Sequence, residues 1–445
     1  MPSVTDHDVA ALRAAAHPLS GAASDYDPLL NLVGDARFVL LGEATHGSAE
    51  FYDERARITQ RLIEEKGFTA VAVEADWPDA WRVNRYVRGE GRDADGRAAL
   101  SGFERFPAWM WRNTSVLGFV EWLRGRNDAG AGTKAGFYGL DLYSLFTSIQ
   151  EVLRYLEGVD PAAAQEARRR YACFDHFNQD SQQYGYAAAV GMSEPCQQGV
   201  QAALHHLQQR ALDYMQADGA DAEDAFFYAQ QNARLVKNAE EYYRTMFMGR
   251  ISSWNLRDGH MAETLDALAR HLSRGGTPAK IVVWEHNSHI GDARATEIGR
   301  QGEWNVGQLA RTAYGGDACL VGFTTYDGRV TAASEWDGPA LHKHVRPALP
   351  GSYEHLLHSV GLERFLLPLR TPGAARDLLM EERLERAIGV LYLPRSERNS
   401  HYFMAQLPRQ FDAVIHIDRT SAVTPLDATS GWHSGEPPET YPQGL

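Results

Sequence analysis

The sequence predicts an α/β fold in which a wound, mostly parallel sheet is flanked by helices and a large helical insertion covers the cleft. Three observations support this class. Short, continuous apolar runs, typical of strands buried on both faces, alternate with amphipathic helical segments. Four successive runs end in ionisable side chains, as parallel strands do where their carboxyl ends meet at a ligand site. The segment 145–272 is almost wholly helical in pattern, which indicates a subdomain or lid.

The first apolar run, 38–41, leads directly into a short polar loop. Gly42 and Gly47 bracket this loop, which carries Glu43 and His46. A helical pattern follows, so the local order is strand, polar loop, helix. This order places a carboxylate and an imidazole at the carboxyl end of a buried strand, where open α/β sheets bind their ligands.

The helix after this loop has an arginine within its apolar stripe. The apolar residues of that face are Phe51, Ile58 and Leu62. Arg55 occupies the remaining position on the same face. Because an unpaired buried charge is costly, we expect Arg55 to be buried against a carboxylate, either Glu43 or Glu74. The alternative is that its long side chain extends to reach water.

The rest of the chain continues the alternation. Further strands are expected at 70–74, 136–140, 280–284, 320–323, 388–392 and 413–417, and helices at 8–16, 353–359 and 374–386. The expected segments are 1–144 as the first part of the α/β core, 145–272 as the helical insertion or lid, 273–427 as the second part of the core, and 428–445 as a loose tail.

Ionisable side chains follow four successive strands. They are Glu43 with His46, then Glu74, then Asp141, and finally Glu285 with His286 and His289. Because a parallel sheet brings such strand ends to one edge, we expect these groups to share a site.

Each candidate also has a purely structural interpretation. His46 could satisfy backbone groups of its loop, and Glu74 could serve only as the partner of the buried arginine. Asp141 is typical of a helix N-cap, the role we favour for it. Trp77 and Trp109 are candidates for a substrate wall, although a place in the core is the commoner role of such tryptophans.

The histidines raise the question of a metal. His286 and His289 form an HxxH pair, and His46 could complete a three-histidine site. The sequence has no HExxH motif, no GxSxG elbow and no GxxxxGK[ST] loop, so the serine-hydrolase and phosphate-loop classes lose their main support. A divalent metal at the three histidines stays open as an alternative.

Composition limits the partners and the compartment. The formal net charge is −14, from 44 basic and 58 acidic residues, which argues against nucleic acid or an anionic membrane as a partner. Cys173, Cys196 and Cys319 include no CxxC pair, so we expect buried or free thiols in a reducing compartment. Without a signal-peptide pattern or an apolar run of about 18 residues, a soluble cytoplasmic protein is expected.

Several of these motifs together resemble the erythromycin esterase family. The residues that carry the resemblance are Gly42-Glu43-Ala44-Thr45-His46-Gly47, Arg55, Val73-Glu74, Trp109-Met110-Trp111-Arg112, Trp284 through Asp292, and Tyr392-Leu393-Pro394-Arg395. The likeness runs from about residue 30 to about residue 427. It implies an α/β core with a helical subdomain over a deep cleft, and hydrolysis of an ester or macrolactone without a covalent intermediate.

The resemblance also implies roles for individual residues. His46 matches the general base that acts on water. The positions that line the same site are Glu43, Arg55, Glu74, His286 and His289. Macrolide-opening members commonly have a small residue before the first histidine of the pair, whereas this chain has Glu285. The resemblance therefore does not specify a macrolide as the natural substrate or antibiotic resistance as the role.

The chemistry of these residue types agrees with such a mechanism. A neutral imidazole suits proton abstraction from water. A carboxylate such as Glu43 or Glu74 would fix its tautomer, and Arg55 or a protonated His286 or His289 would stabilise a developing oxyanion.

We therefore expect a hydrolase of carboxylic esters or lactones that acts on a small molecule and requires no cofactor. The expected substrate contacts are Trp77, Trp109, Asp141 and Glu285. Two alternatives stay open: a metal-dependent hydrolase that uses the three histidines, and a small-molecule or metal-binding protein without turnover.

Overall fold

The structure is a computed structural model and describes residues 5–130, 132–177, 179–216, 220–247, 249–429 and 432. The chain divides into two compact units. The first comprises Met1–Val71, Tyr86–Gly136 and Lys280–Leu445, and the second comprises Ala72–Arg85 and Phe137–Ala279.

The described elements alternate strands with helices outside a long helical stretch. The strands are, in chain order, β1 (His17–Pro18), β2 (Phe38–Leu41), β3 (Ala70–Asp76), β4 (Gly136–Asp141), β5 (Ile281–Trp284), β6 (Ala318–Ala332), β7 (Leu341–Val345), β8 (Arg364–Pro368), β9 (Arg383–Arg386), β10 (Tyr402–Ala405) and β11 (Ala413–Thr420).

The α-helices are, in chain order, α1 (Asp6–Ala15), α2 (Asp27–Val33), α3 (Ala49–Lys66), α4 (Trp77–Arg88), α5 (Gly96–Leu100), α6 (Thr114–Asp128), α7 (Leu145–Val159), α8 (Pro161–Tyr171), α9 (Ser181–Ala189), α10 (Gln197–Gln209), α11 (Ala211–Met215), α12 (Ala220–Thr245), α13 (Arg250–Leu272), α14 (Asn287–Ile290), α15 (Glu297–Arg300), α16 (Val306–Tyr314), α17 (Tyr353–His358), α18 (Ala374–Leu379), α19 (Glu397–Ser400) and α20 (Leu407–Gln410). Short 3₁₀ helices lie at Ala23–Tyr26, Ala108–Met110, Ala172–Phe177, Ala293–Ala295, Gly315–Asp317 and Pro394–Ser396.

The sheet of the first unit is mixed and mostly parallel at its centre. Its strand order is β1-β8-β11-β6-β2-β5, and β7 pairs with β6. β2 is parallel to both β5 and β6, and β11 is parallel to β6, whereas β1, β7 and β8 pair antiparallel. Leu41 lies opposite Trp284 on one side and Val321 on the other. The loops after β2 and β5 therefore leave the sheet side by side, as predicted.

Helix α3 follows the loop after β2 and has the predicted apolar face. Phe51, Ile58 and Leu62 are fully buried. The helix ends at Lys66, and Gly67 follows in the left-handed conformation with a φ of 72°, which glycine adopts without the steric cost of a side chain.

The second unit contains most of β3 together with β4 and the helices α7 to α13. β3 and β4 are neighbours in the sheet. Their backbones approach closely at Gly139, where a Cβ atom would lie 2.4 Å from the carbonyl oxygen of Ala75. The helical pattern predicted over 145–272 is present as helices α7 to α13.

Two predicted elements near the end of the chain are wrong. Residues 388–392 form no strand, and Ile388 makes only an isolated bridge to Thr45. The helix predicted over 374–386 ends at Leu379, and Arg383–Arg386 is instead a strand paired antiparallel with Tyr402–Ala405. Arginine and glutamate side chains of β9 are buried by tertiary contacts, which their local pattern does not indicate.

The prediction of three unpaired thiols is also wrong. Cys173 and Cys196 form a disulfide with a Cα–Cα distance of 5.8 Å, and Cys319 is free and buried. Burial raises the pKa of the Cys319 thiol to about 12, so this thiol is unreactive at neutral pH. The expectation of a reducing compartment rested on unpaired thiols, and Cys173 and Cys196 therefore do not support it.

Most of the predicted tail, 428–445, lies outside the described residues. Trp432 is the described residue nearest the end of the chain. It is buried, and its indole N–H donates to the hydroxyl of Thr331 at 2.8 Å. None of the helices in the described part of the chain is long and apolar enough to cross a membrane.

Candidate active site

Glu43, in the loop after β2, contacts both His46 and Arg55. Its Oε1 atom lies 2.7 Å from His46 Nδ1, and its Oε2 atom lies 2.6 Å from Arg55 Nη2. Glu43 is 1% exposed, His46 is 6% exposed and Arg55 is fully buried. Both oxygens of one carboxylate are thus engaged, one by an imidazole and one by a guanidinium.

The guanidinium of Arg55 is also held between aromatic rings. Its Cζ atom lies 4.5 Å from the ring centre of Tyr52 and 5.2 Å from that of Trp284. The indole N–H of Trp284 donates to Thr59 at 3.0 Å, which fixes that ring. The prediction that Arg55 is buried and paired with a carboxylate is confirmed, with Glu43 as partner. The cation–π contacts offset part of the desolvation cost of a buried charge.

The loop that carries His46 is anchored through its backbone. The phenol of Tyr52 donates to the carbonyl oxygen of His46 at 2.7 Å, and the amide of Thr331 donates to that of Gly47 at 3.0 Å. A Cβ atom on Gly47 would lie 1.9 Å from the Thr331 carbonyl oxygen. Only glycine fits this close approach, so its role is to let the loop pack against β6.

His286 lies beside His46, with ring centres 4.8 Å apart. It is the N-cap of α14, and its Nδ1 atom accepts the backbone N–H of Ser288 at 3.2 Å. Glu285 and His289 flank it and are 1% and 2% exposed. The strand ends of β2 and β5 therefore bring Glu43, His46 and His286 together in the first unit.

In the second unit, Glu74 and Asp141 bind one arginine that the sequence analysis missed. Arg257 Nη2 lies 2.7 Å from Glu74 Oε1 and 2.7 Å from Asp141 Oδ2, and its Nε atom donates to Asp141 Oδ1 at 3.0 Å. Burial disfavours the charge on Arg257, but Asp141, Tyr143 and Glu74 together outweigh this cost, so the pKa of Arg257 lies well above its ordinary value. The two carboxylates therefore stabilise the charged form of this guanidinium.

The favoured N-cap role of Asp141 is wrong. Helix α7 begins at Leu145, and its N-cap is Ser144. Asp141 instead accepts hydrogen bonds from the backbone N–H of Leu142, at 2.9 Å, and from the Nε and Nη2 atoms of Arg257. Two carboxylates at neighbouring strand ends require a counter-ion, and the sequence offers no local clue to which helix supplies it.

A signal for Arg257 was nevertheless present in the sequence. It stands four residues before Met261 in the stripe that continues through Leu265 and Leu268, all of them buried. An arginine within the apolar stripe of α13 is expected to point into the protein and pair with a carboxylate, as Arg55 does in α3.

The two tryptophans predicted to line the substrate cleft are buried. Trp77 is 1% exposed and packs in the second unit against Trp81 and Tyr228, with ring centres 5.6 and 6.4 Å away. Trp109 is 5% exposed and lies in a 3₁₀ helix of the first unit, where its carbonyl oxygen accepts a hydrogen bond from Asn113.

Among the described residues, no three histidine, cysteine, aspartate or glutamate side chains are arranged to hold a metal ion. The three histidines that the sequence suggested, His46, His286 and His289, are therefore not arranged as a metal site.

Comparison with known proteins identifies the family of this chain. The model of the erythromycin esterase family matches residues 63–420, which is most of the chain. Erythromycin esterase type II of Escherichia coli is 24% identical over 413 residues, a match that covers 89% of this chain and 93% of that protein.

Solved structures show the same fold. A Bacillus cereus protein superposes with a TM-score of 0.80 at 22% identity and covers 95% of this chain and 100% of that one. An erythromycin esterase mutant in its open conformation gives a TM-score of 0.66 at 19% identity, with 92% and 96% covered. Since the family model spans well over half of the sequence, this chain belongs to the erythromycin esterase family and is a hydrolase of the esterase-like kind.

Proposed function

We propose that this hydrolase cleaves carboxylic esters or lactones with a water molecule that His46 activates as general base. One observation carries the proposal: Glu43 bridges the Nδ1 atom of His46 and the guanidinium of Arg55 inside the protein. This arrangement has the orienting carboxylate and the base of a hydrolytic triad, but water takes the place of a side-chain nucleophile.

The tautomer of His46 follows from its partner. An ionised carboxylate only accepts hydrogen bonds, so the Nδ1 atom that faces Glu43 at 2.7 Å carries the hydrogen. The lone pair is then on Nε2, which is the atom that abstracts the proton from water. As that proton arrives, Glu43 stabilises the imidazolium, while Arg55 holds the other oxygen of the Glu43 carboxylate.

His286 has the opposite tautomer. Its Nδ1 atom accepts the N–H of Ser288, so in the neutral ring the hydrogen is on Nε2. With ring centres 4.8 Å apart, one histidine offers a lone pair and its neighbour offers an N–H. We assign His286 Nε2–H to the oxyanion of the tetrahedral intermediate, where a preorganised donor stabilises the developing charge.

The substrate class is an ester or lactone of a small molecule. The Escherichia coli relative is named an erythromycin esterase, which makes a macrolactone one candidate. The roles predicted for Glu74 and His289, the substrate contacts predicted for Trp77, Trp109, Asp141 and Glu285, and a cytoplasmic location stay predictions.

A substrate panel with a chelation arm tests the proposal. The purified chain is assayed against p-nitrophenyl esters, simple lactones and erythromycin, before and after treatment with EDTA. We expect hydrolysis of at least one substrate at a rate that the chelator leaves unchanged, because the proposed base and oxyanion donor are side chains.

Two outcomes would contradict this expectation. Loss of the rate on chelation, with recovery on adding zinc or manganese, would assign the water to a metal held by the histidines. Saturable binding of a panel member without turnover in either arm would identify a binding protein on the same fold.

A further inference from the structure

Asn287 follows His286 in the chain and is fully buried. Its side chain forms hydrogen bonds with the backbone of one residue of the neighbouring strand β6. Its Oδ1 atom accepts the N–H of Phe323 at 3.1 Å, and its Nδ2 atom donates to the carbonyl oxygen of Phe323 at 2.7 Å. One side-chain amide thus satisfies both backbone groups of a single strand residue, as a paired strand would.

These bonds begin where β2 leaves the sheet. The pairing of β2 with β6 runs to Leu41 opposite Val321, and the amide of Gly42 donates to the carbonyl oxygen of Val321 at 2.8 Å. The Phe323 groups that follow on β6 are bonded to Asn287. The chain after Gly42 can therefore turn away from the sheet without leaving buried backbone groups of β6 unpaired.

Asn287 also contacts the segment that turns away. Its backbone N–H donates to the carbonyl oxygen of Glu43 at 2.9 Å. A Cβ atom at Gly42 would lie 2.1 Å from Asn287 Oδ1, so any side chain there would displace the amide. Asn287 and Gly42 together determine where the peptide that carries Glu43 lies.

We propose that Asn287 is a positioning residue of the reaction. Its side chain replaces the β2 backbone on Phe323 and so places its own backbone N–H on the Glu43 peptide, which sets the Glu43 carboxylate against His46 Nδ1. This inference rests on the proposed role of His46 as base. Asn287 reaches the reacting atoms only through Glu43, and misplacement of that carboxylate by about 1 Å would cost up to about 10²-fold in rate.

One buried carboxyl group lies beside the Asn287 amide. The nearest carboxyl, Glu385 Oε1, lies 3.5 Å from Asn287 Nδ2. Burial raises the pKa of Glu385 well above its usual range, and the nearby Glu354 raises it further. Burial and Glu354 therefore both disfavour a negative charge on Glu385 beside the Asn287 amide.

The chain offers a closely matched control in Asn127. This asparagine of the same unit is 3% exposed, and it likewise bonds both backbone groups of one residue, Ala135, with N–H to Oδ1 at 2.9 Å and Nδ2 to the carbonyl oxygen at 2.8 Å. Asn127→Ala and Asn287→Ala remove the same kind of bond from equally buried sites. Asn287 also bonds the backbone of Glu43, whereas Asn127 lies in helix α6.

The experiment compares these two variants with the parent in urea unfolding and in steady-state hydrolysis of the panel substrate. Both are expected to unfold at lower urea concentrations. Only Asn287→Ala is expected to lower kcat, by about 10²-fold with KM little changed, because the base is misplaced while the substrate contacts remain.

Gly42→Ala supplies an independent measurement. Its Cβ atom displaces the Asn287 amide, so it should lower kcat as Asn287→Ala does, and the double variant should be no slower than either single one. Gly118→Ala, at a glycine with open space around its Cβ position, should leave kcat unchanged.

Two results would overturn the inference. In the first, Asn287→Ala lowers the unfolding midpoint and leaves kcat unchanged, which is the result expected of Asn127→Ala. In the second, the effects of Gly42→Ala and Asn287→Ala on kcat multiply in the double variant. His46→Ala, assayed alongside, separates this from failure of the proposed function. If His46→Ala retains the parent rate, the proposed base is wrong. If it is inactive while Asn287→Ala keeps full kcat, only the positioning role is wrong.

Discussion

His46→Ala is expected to lower kcat by about 10²–10⁴-fold, the usual contribution of general acid–base catalysis, and to leave the protein folded. The physical reason is that the Nε2 lone pair is the proposed proton acceptor, and that Glu43, 2.7 Å from Nδ1, acts only through the imidazole. The variant is measured by steady-state hydrolysis of the panel substrate and by its urea midpoint.

A second histidine of the same unit serves as control. His416 is fully buried, and its Nδ1 atom pairs with the hydroxyl of Thr324 at 2.9 Å, away from Glu43. His416→Ala should lower stability and preserve kcat in the folded fraction. Retention of near-parental turnover by His46→Ala would remove His46 from the mechanism.

Arg55→Ala is expected to destabilise the first unit by about 3–5 kcal/mol, because it leaves the carboxylate of Glu43 buried without its counter-ion. Glu43 is 1% exposed, so solvent does not replace the lost ion pair in the folded protein. The variant should also lose activity, since the ion pair would no longer hold Glu43 in the position that stabilises the imidazolium of His46. Urea unfolding followed by tryptophan fluorescence measures the stability difference.

Arg57→Ala on the same helix is the matched control. Arg57 pairs with Glu54 at 2.9 Å, but its side chain is 49% exposed, and Glu54 also accepts a hydrogen bond from Tyr26. Such a partly solvated pair contributes about 0–1 kcal/mol. Equal destabilisation by the two substitutions would mean that the Glu43–Arg55 pair has no special energetic role.

The elements that sequence reasoning located correctly depend on local patterns. Phe38–Leu41 and Ile281–Trp284 are strands where continuous apolar runs predict them, and Gly67 ends α3. The burial of Arg55 followed from the 3.6-residue period of its helix, and its carboxylate partner lies only 12 residues away along the chain. In these cases the information lies within one or two adjacent elements.

The errors concern contacts between distant segments. Asp141 was expected to cap the helix that follows it, but its partner Arg257 is 116 residues further along the chain. Arg383–Arg386, rich in helix-forming charged residues, is a strand because Tyr402–Ala405 pairs with it. The disulfide between Cys173 and Cys196 also depends on how two helical segments pack.

The buried strands, the helix phase of α3 and the placement of Glu43 and His46 after β2 follow from local patterns, because burial imposes a period on the residues of each element. The pairing of distant groups does not: Arg257 meets Glu74 and Asp141, and Asn287 meets Phe323, only in the folded chain. An arginine or an asparagine has several chemically equivalent partners in a chain of this length. Which partner it binds depends on how the whole unit packs, and local sequence patterns do not report that packing.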